Sequence, residues 1–423
     1  MARDLYAQSS GNANAINWNT KGDGSGTTVA GSALAVDDSL YANLKSVTIA
    51  ANLSVAALYA NAGPQAGTPG GSYILKDGCT LTAPLITADP SNAAVQTPLV
   101  VCNDASGVFT IVATTISAGN AAGTNAILAN GTGATLIISG NLTASGISNA
   151  TSALAITGAF NSFTLTGSPQ TGNAGINVAV GATSTNNCTI NGSIEQTNGI
   201  GAKLSAVCNL IVTGNANSSA GIAIQTTAAS NVTVNGSVTG TGAGNAVNIS
   251  AGTLTIAGSV QAGTTGTGVN MTGGNLIVGG NVTAGTGIAS NGVRASAAGN
   301  ITIGGNATGG SQIAGTGAYG IGVTSASAVV RVGFAVGGNG HFNNVGVLVS
   351  LASTNVVITG GIKYGANGQS PTAGEVLFSN AAGNNSTVPP NVLQNGTRVG
   401  PYPVTVVGGV TRIGPYPVSQ FNP

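Results

Sequence analysis

Charged residues are nearly absent from this chain. Ten Lys or Arg and nine Asp or Glu make up 4% of its 423 residues, against roughly a quarter in ordinary soluble domains. Ten scattered cations cannot line a phosphate backbone, which needs several of them on one face. A formal charge of +1 gives no pull towards an anionic membrane surface. Neither a nucleic-acid nor a membrane partner is therefore expected. No run of 18 apolar residues is present, so no spanning helix is read. The start, Met1-Ala2-Arg3-Asp4-Leu5-Tyr6, lacks an apolar core behind a basic end, and no secretory signal is expected from it. One histidine and four cysteines remain for metal chemistry. Cys79, Cys102, Cys188 and Cys208 show neither CxxC nor ligand spacing, so they read as small buried hydrophobes, and no metal or cofactor is expected.

The shortage of carboxylates bears on catalysis. Glycan hydrolysis needs a pair of them, and calcium-dependent elimination needs a cluster. Between Ala105 and Gly374 the only acidic residue is Glu195, so the chain is expected not to be an enzyme. Asp37-Asp38 reads as a solvated loop or a cap, with a weak metal site as the alternative, and Asp77-Gly78 reads as a turn. His341 has no Cys, Asp or Glu near it in sequence, and a histidine bonded to neighbouring backbone groups is expected there. Strings such as Gly240-Thr-Gly242-Ala-Gly244 are uninformative among 68 glycines, and no helix follows them to make a phosphate loop.

What the chain does have is a repeat. Hydrophobic residues reach 42%, enough for a core and too many for disorder at this low charge. A five-residue word, apolar-x-apolar-x-Gly, begins at Cys188, Leu210, Val232, Leu254 and Leu276, each start 22 residues after the last. It recurs with wider spacing at Leu136, Phe163, Ile301 and Val356, and it degrades around Val329 to Gly333, where Arg331 falls on the second inward position. Alternation with period two makes each word a short strand whose first and third residues share a face. Glycine then permits a corner. Two further strand-like pieces follow in the same repeat, as in Ser259-Val260-Gln261 and Val269-Asn270-Met271. Three strands and three corners describe one coil, so the expected fold is all-β, a single-stranded parallel β-helix (β-solenoid) with about 22 residues per coil, capped by irregular N- and C-terminal segments. A helix fails on propensity, and a sandwich of hairpins gives no reason for a constant spacing.

Proline marks the boundaries, because each rung must donate an N–H to its neighbour. Pro169 is the only proline between Leu99 and Ser370. The expected organisation is a cap or attachment segment at 1–40, irregular rungs with longer loops at 41–130, the regular body at 131–388, and an extended tail at 389–423. The tail repeats Arg398-Val-Gly-Pro401-Tyr402-Pro403-Val404 as Arg412-Ile-Gly-Pro415-Tyr416-Pro417-Val418, and such segments cannot continue a ladder.

The outward position of the word reads Ile137, Thr164, Thr189, Ile211, Thr233, Thr255, Ile277, Thr302 and Val357. A regular threonine ladder could bind ice. Here Ile137, Ile211, Ile277 and Val357 interrupt the column, and these four are the candidate contacts with a sister chain; a merely strand-favouring exposed face is the alternative.

The segment Gly11-Asn-Ala-Asn-Ala-Ile16-Asn-Trp18-Asn-Thr-Lys-Gly-Asp-Gly-Ser-Gly26, followed by Asp37-Asp38-Ser-Leu-Tyr41 and Val47-Thr-Ile49, resembles the start of β-helical virion structural proteins of tailed phages. The resemblance covers about the first 60 residues and brings no catalytic motif. It implies a fibre or decoration protein assembled in the host cytoplasm. By analogy it would be a homotrimer that meets other virion proteins through its terminal segments, with a host-surface glycan left open as a partner. Bacterial surface β-helix adhesins, extracellular or at the cell surface, open similarly and stand second; a glycan-degrading tailspike stands third.

Overall fold

The computed structural model is all-β, with parallel strands stacked as a β-solenoid of about 26 residues per turn. It describes residues 2–60, 71–88, 98–117, 125–144, 152–171, 175–180, 185–287, 290–310, 318–325, 328–337, 347–349, 355–363, 376–379, 392–394, 397–399, 404–407 and 410–413. Side chains are described for these except at 144, 170–180, 185–186, 334 and from 347 onwards. Among the described residues the only helical element is a 3-10 turn at Gly31–Ala33, and no helix is long and apolar enough to cross a membrane. The chain divides into two compact units, Met1–Gly214 and Asn215–Pro423.

The second unit holds the most regular coils. One coil is Asn231–Val234, Val238–Gly240 and Val247–Ile249; the next is Thr253–Ile256, Val260–Gln261 and Val269–Met271. Each strand lies parallel on its counterpart, with Val232 opposite Leu254, Val238 opposite Val260 and Val247 opposite Val269. Three faces result, and the one carrying the word is here called the word face. Val232, Val234, Leu254, Ile256, Leu276 and Val278 are buried, as the period-two pattern requires. Each contributes roughly 1.5–3 kcal/mol of burial.

Corners explain the rest of the word. At Gly167, with φ +146°, a Cβ would come 2.1 Å from the Gly140 carbonyl oxygen, so only glycine fits. The residue after each such glycine bonds across coils. The Ser237 N–H donates to Asn215 Oδ1 at 2.8 Å, Ser259 N–H to Ser237 Oγ at 3.1 Å, Asn281 N–H to Ser259 Oγ at 3.0 Å and Asn306 N–H to Asn281 Oδ1 at 2.8 Å. Where the backbone turns, a short polar side chain supplies the acceptor that the bending strand does not.

The 22-residue spacing belongs to the stretch from Cys188 to Leu276 and is shorter than the average. Bonded partners on successive coils are 22 residues apart at Ser237 and Asn215, but 25 at Asn300 and Asn275, 27 at Ser168 and Asn141, and 28 at Thr80 and Asn52. The strands keep their register while the connections between them lengthen, so the same word serves coils of different size.

The first unit is built mostly from these longer coils, and its last step, Cys188 to Leu210, is 22 residues. Its word face stacks Thr80–Thr82, Gly107–Ser117, Ala134–Ala144, Ser162–Thr166, Thr185–Asn191 and Cys208–Val212 in parallel. Large side chains pack in its interior. Phe109, Phe160, Phe163, Tyr73 and Trp18 are fully buried, and the Phe109 and Phe160 rings meet at 6.1 Å. Pro169 opens the strand Pro169–Thr171, where its missing N–H costs least.

The N-terminal segment is part rung and part cap. Asp4–Ala7 runs parallel to Ser39–Tyr41, and Gly11–Asn12 runs parallel to Val47–Ile49. Asn17–Asn19 then lies antiparallel on Asp4–Ala7 and carries Thr28–Ala30 on its other side. Trp18 is buried beneath, its Nε1–H donating to the Ala13 carbonyl at 3.0 Å. In the second unit Val410–Ile413 is antiparallel to both Val376–Ser379 and Val404–Val407, and Val392–Gln394 pairs antiparallel with Thr397–Val399. Val376–Ser379 is itself still parallel to Val347–Val349, so the parallel ladder gives way to antiparallel pairing from there, while both Pro-Tyr-Pro stretches lie outside the described residues.

Candidate interaction face

Within the first unit the outward column of the word face is Thr80, Thr110, Ile137, Thr164, Thr189 and Ile211, each in register with the next. Ile137 is 37% exposed and Ile211 43%, so both candidate contacts here point outward. Sequence reasoning missed their neighbours: Val108 at 43%, Val112 at 40% and Val207 at 52%. Val108 and Val112 stand two residues either side of Thr110 on the strand Gly107–Ser117, so the same period-two rule would have found them. Val207 immediately precedes Cys208–Val212.

In the second unit the column is Thr233, Thr255, Ile277, Thr302, Arg331 and Val357. Ile277 is 46% exposed. Val357 holds the expected register position, but its side chain lies outside the described residues. Arg331 is a correction. Val330 and Val332 are buried and Arg331 is exposed opposite Thr302, so the word starts one residue later than Val329 and its charge stands outward. The word face of this unit therefore carries a cation.

The remaining candidates are placed as follows. Asp38 is not in a solvated loop: its side chain is fully buried and accepts from Arg3 Nε at 2.8 Å, Arg3 Nη2 at 2.6 Å and the Ala35 N–H at 2.8 Å. Burial opposes its ionisation, but the Arg3 and Ala35 hydrogen bonds and the Arg3 charge outweigh that and hold its carboxyl below the ordinary value. Asp77-Gly78 is a turn, as expected, and Asp77 Oδ1 accepts from the Val108 N–H at 3.1 Å. Beside it Lys76 Nζ reaches Asp104 at 2.5 Å. Glu195 lies mid-strand on Ile194–Gln196, and His341 lies outside the described residues. No three of the His, Cys, Asp or Glu side chains among the described residues come together as a metal site. All four cysteines are buried and unbridged. Hydrogen bonding to Cys208, then burial, pushes the Cys188 thiol well up, and burial does the same at Cys102.

Two further features were not read from sequence. Tyr6, Tyr41 and Tyr59 form an in-register stack with ring centroids 4.5 and 4.3 Å apart, so the rings offer their faces to one another. In the second unit an open, uncharged groove of about 260 Å³ is lined by Thr241, Gln261, Thr264 and Thr286 among small residues. Neither gathers acid–base or nucleophilic groups. No protein family, characterised protein or solved structure was found to match this chain.

Proposed function

We propose that this chain is a non-enzymatic structural protein, a fibre or a capsid or tail decoration component of a tailed-phage virion. The observation that carries the reading is the coil itself. Successive coils repeat one outward surface of Thr, Ile, Val, Ser and Asn, and the side chains at the corners bond coil to coil rather than converging on a pocket. Such a chain adds length and surface with each repeat. The opening segment around Trp18 supplies the phage component of the reading. Attachment is assigned to the termini, where antiparallel strands join the ladder.

Mass spectrometry and imaging of purified virions test the proposal: the chain should be present at a fixed, repeated location on the particle. Its detection at a bacterial surface, without a particle, would favour the adhesin reading. Incubation with capsular or lipopolysaccharide glycans should release no oligosaccharide. Turnover abolished by Glu195→Gln would make the protein a tailspike enzyme instead.

A further inference from the structure

We propose that the word face of the first unit is a self-association surface, covered in solution by the same face of a second copy of this chain. Seven large hydrophobic side chains are exposed among the described residues; four of them, Val108, Val112, Ile137 and Ile211, lie on strands of this one face, and a fifth, Val207, immediately precedes its strand Cys208–Val212. A gathering of exposed hydrophobic residues on one face marks an interaction site more often than scattered ones do.

The occupant follows from charge and relief. The segments 107–117, 134–144, 162–166, 185–191 and 208–212 contain no ionisable Asp, Glu, Lys, Arg or His. A charged partner finds nothing there to select it, while two copies of the face meet without repulsion. Ile137 and Ile211 stand three rungs apart, with the half-buried Thr164 and Thr189 between them. At about 4.8 Å per rung this makes two ridges roughly 14 Å apart with a shallow threonine trough between. A second copy presents the same spacing, so an isoleucine of each copy fits the trough of the other and the contact is isologous.

Area sets the strength. Six rungs by five residues is roughly 450 Å² per copy, or about 900 Å² in total, below the range of stable specific interfaces and within that of weak, transient ones. The association is therefore weak and reversible, with micromolar rather than nanomolar affinity. It does not depend on where the protein is installed, so its failure would leave the structural reading standing.

Sedimentation equilibrium of the full chain across the micromolar range tests it. Wild type should exceed the monomer mass at the upper concentrations, and Ile137→Lys with Ile211→Lys should weaken association at least tenfold. A control pair on the other two faces, Asn248→Lys with Gln261→Lys, should leave the mass unchanged. Circular dichroism and melting would report whether each variant is folded. If the double variant fails to fold, Ile137→Thr with Ile211→Thr makes the same test without charge. A wild type monomeric throughout, or a control pair that dissociates as readily as the ridge variant, would overturn the proposal.

Discussion

The two units use one word to build coils of different kinds. In the second, the regular coils are 22 residues long, the core residues Val232 to Val278 are aliphatic, and corner hydrogen bonds run at 2.8 to 3.1 Å. In the first most coils are longer, Phe109, Phe160 and Phe163 are buried in the core, and the corner bonds run from 3.1 Å, Ser168 N–H to Asn141 Oδ1, to 3.4 Å, Ser193 N–H to Ser168 Oγ. Two ion pairs, Arg3 with Asp38 and Lys76 with Asp104, belong to the first unit. Its word face has no charge, whereas that of the second carries Arg331. The corner bond is thus common to short and long coils, and what differs is the filling: aliphatic side chains in the regular short coils, aromatic rings beside them in the longer ones.

The sharpest way to break this comparison is to remove a filler from each interior. Phe109→Ala should cost about 3–5 kcal/mol and Leu254→Ala about 2–5 kcal/mol, both read by chemical denaturation. If Phe109→Ala cost under about 1 kcal/mol, the longer coil would not rest on its aromatic residues.

The ion pairs come next. Arg3→Ala leaves the buried Asp38 carboxylate without its main partner and should cost about 2–3 kcal/mol. Asp38 and Asp104 are both held below the ordinary carboxylate value, net of a burial effect that alone would raise them. A lowered folded value means that their stabilisation is present above the unfolded carboxylate range, near pH 4, and is lost as pH falls through the folded value. Melting should therefore stay flat from about pH 5 to 9 and decline below about pH 4. In Arg3→Ala the acid decline should shrink, and an unchanged decline would show that the pair does not set it.

The corner effect is smaller. Ser259→Ala removes the acceptor for Asn281 N–H at 3.0 Å and should cost about 1 kcal/mol, while Ser168→Ala, whose bond is 3.4 Å, should cost less. Equal losses would mean that the two corners do not differ. Smallest of all, Ile211→Thr should change stability by within about 0.5 kcal/mol, since the side chain points outward.

Much of the fold was legible because strand alternation is local. Any stretch such as Leu254-Thr255-Ile256-Ala257-Gly258 shows its inward and outward residues and its corner without reference to a partner. The corner ladder was equally open to view, since Asn or Ser follows the glycine at Gly214-Asn215, Gly236-Ser237, Gly258-Ser259 and Gly280-Asn281. Three things were hidden. The consecutive valines at 329 and 330 allow two phases of the word, and only the three-dimensional register assigns Arg331 to the outside. Asp38 meets Arg3 across 35 residues, a pairing no local pattern reveals. The longer coils keep the word and lengthen the connections, where sequence has no period, so average coil size could not be extrapolated from the stretch between Cys188 and Leu276.

Register is the claim on which all of this stands, and excimer fluorescence tests it directly. Pyrene attached at Thr189→Cys and Ile211→Cys should stack, because these outward positions lie on neighbouring rungs roughly 4.8 Å apart, while the buried native cysteines stay unlabelled. Pyrene at Thr189→Cys and Lys203→Cys, closer in sequence but on different faces of the solenoid, should not. With unlabelled protein in excess to suppress contacts between chains, strong excimer emission from the first pair and none from the second is the result expected. Emission from the second pair alone, or from neither, would contradict the in-register solenoid.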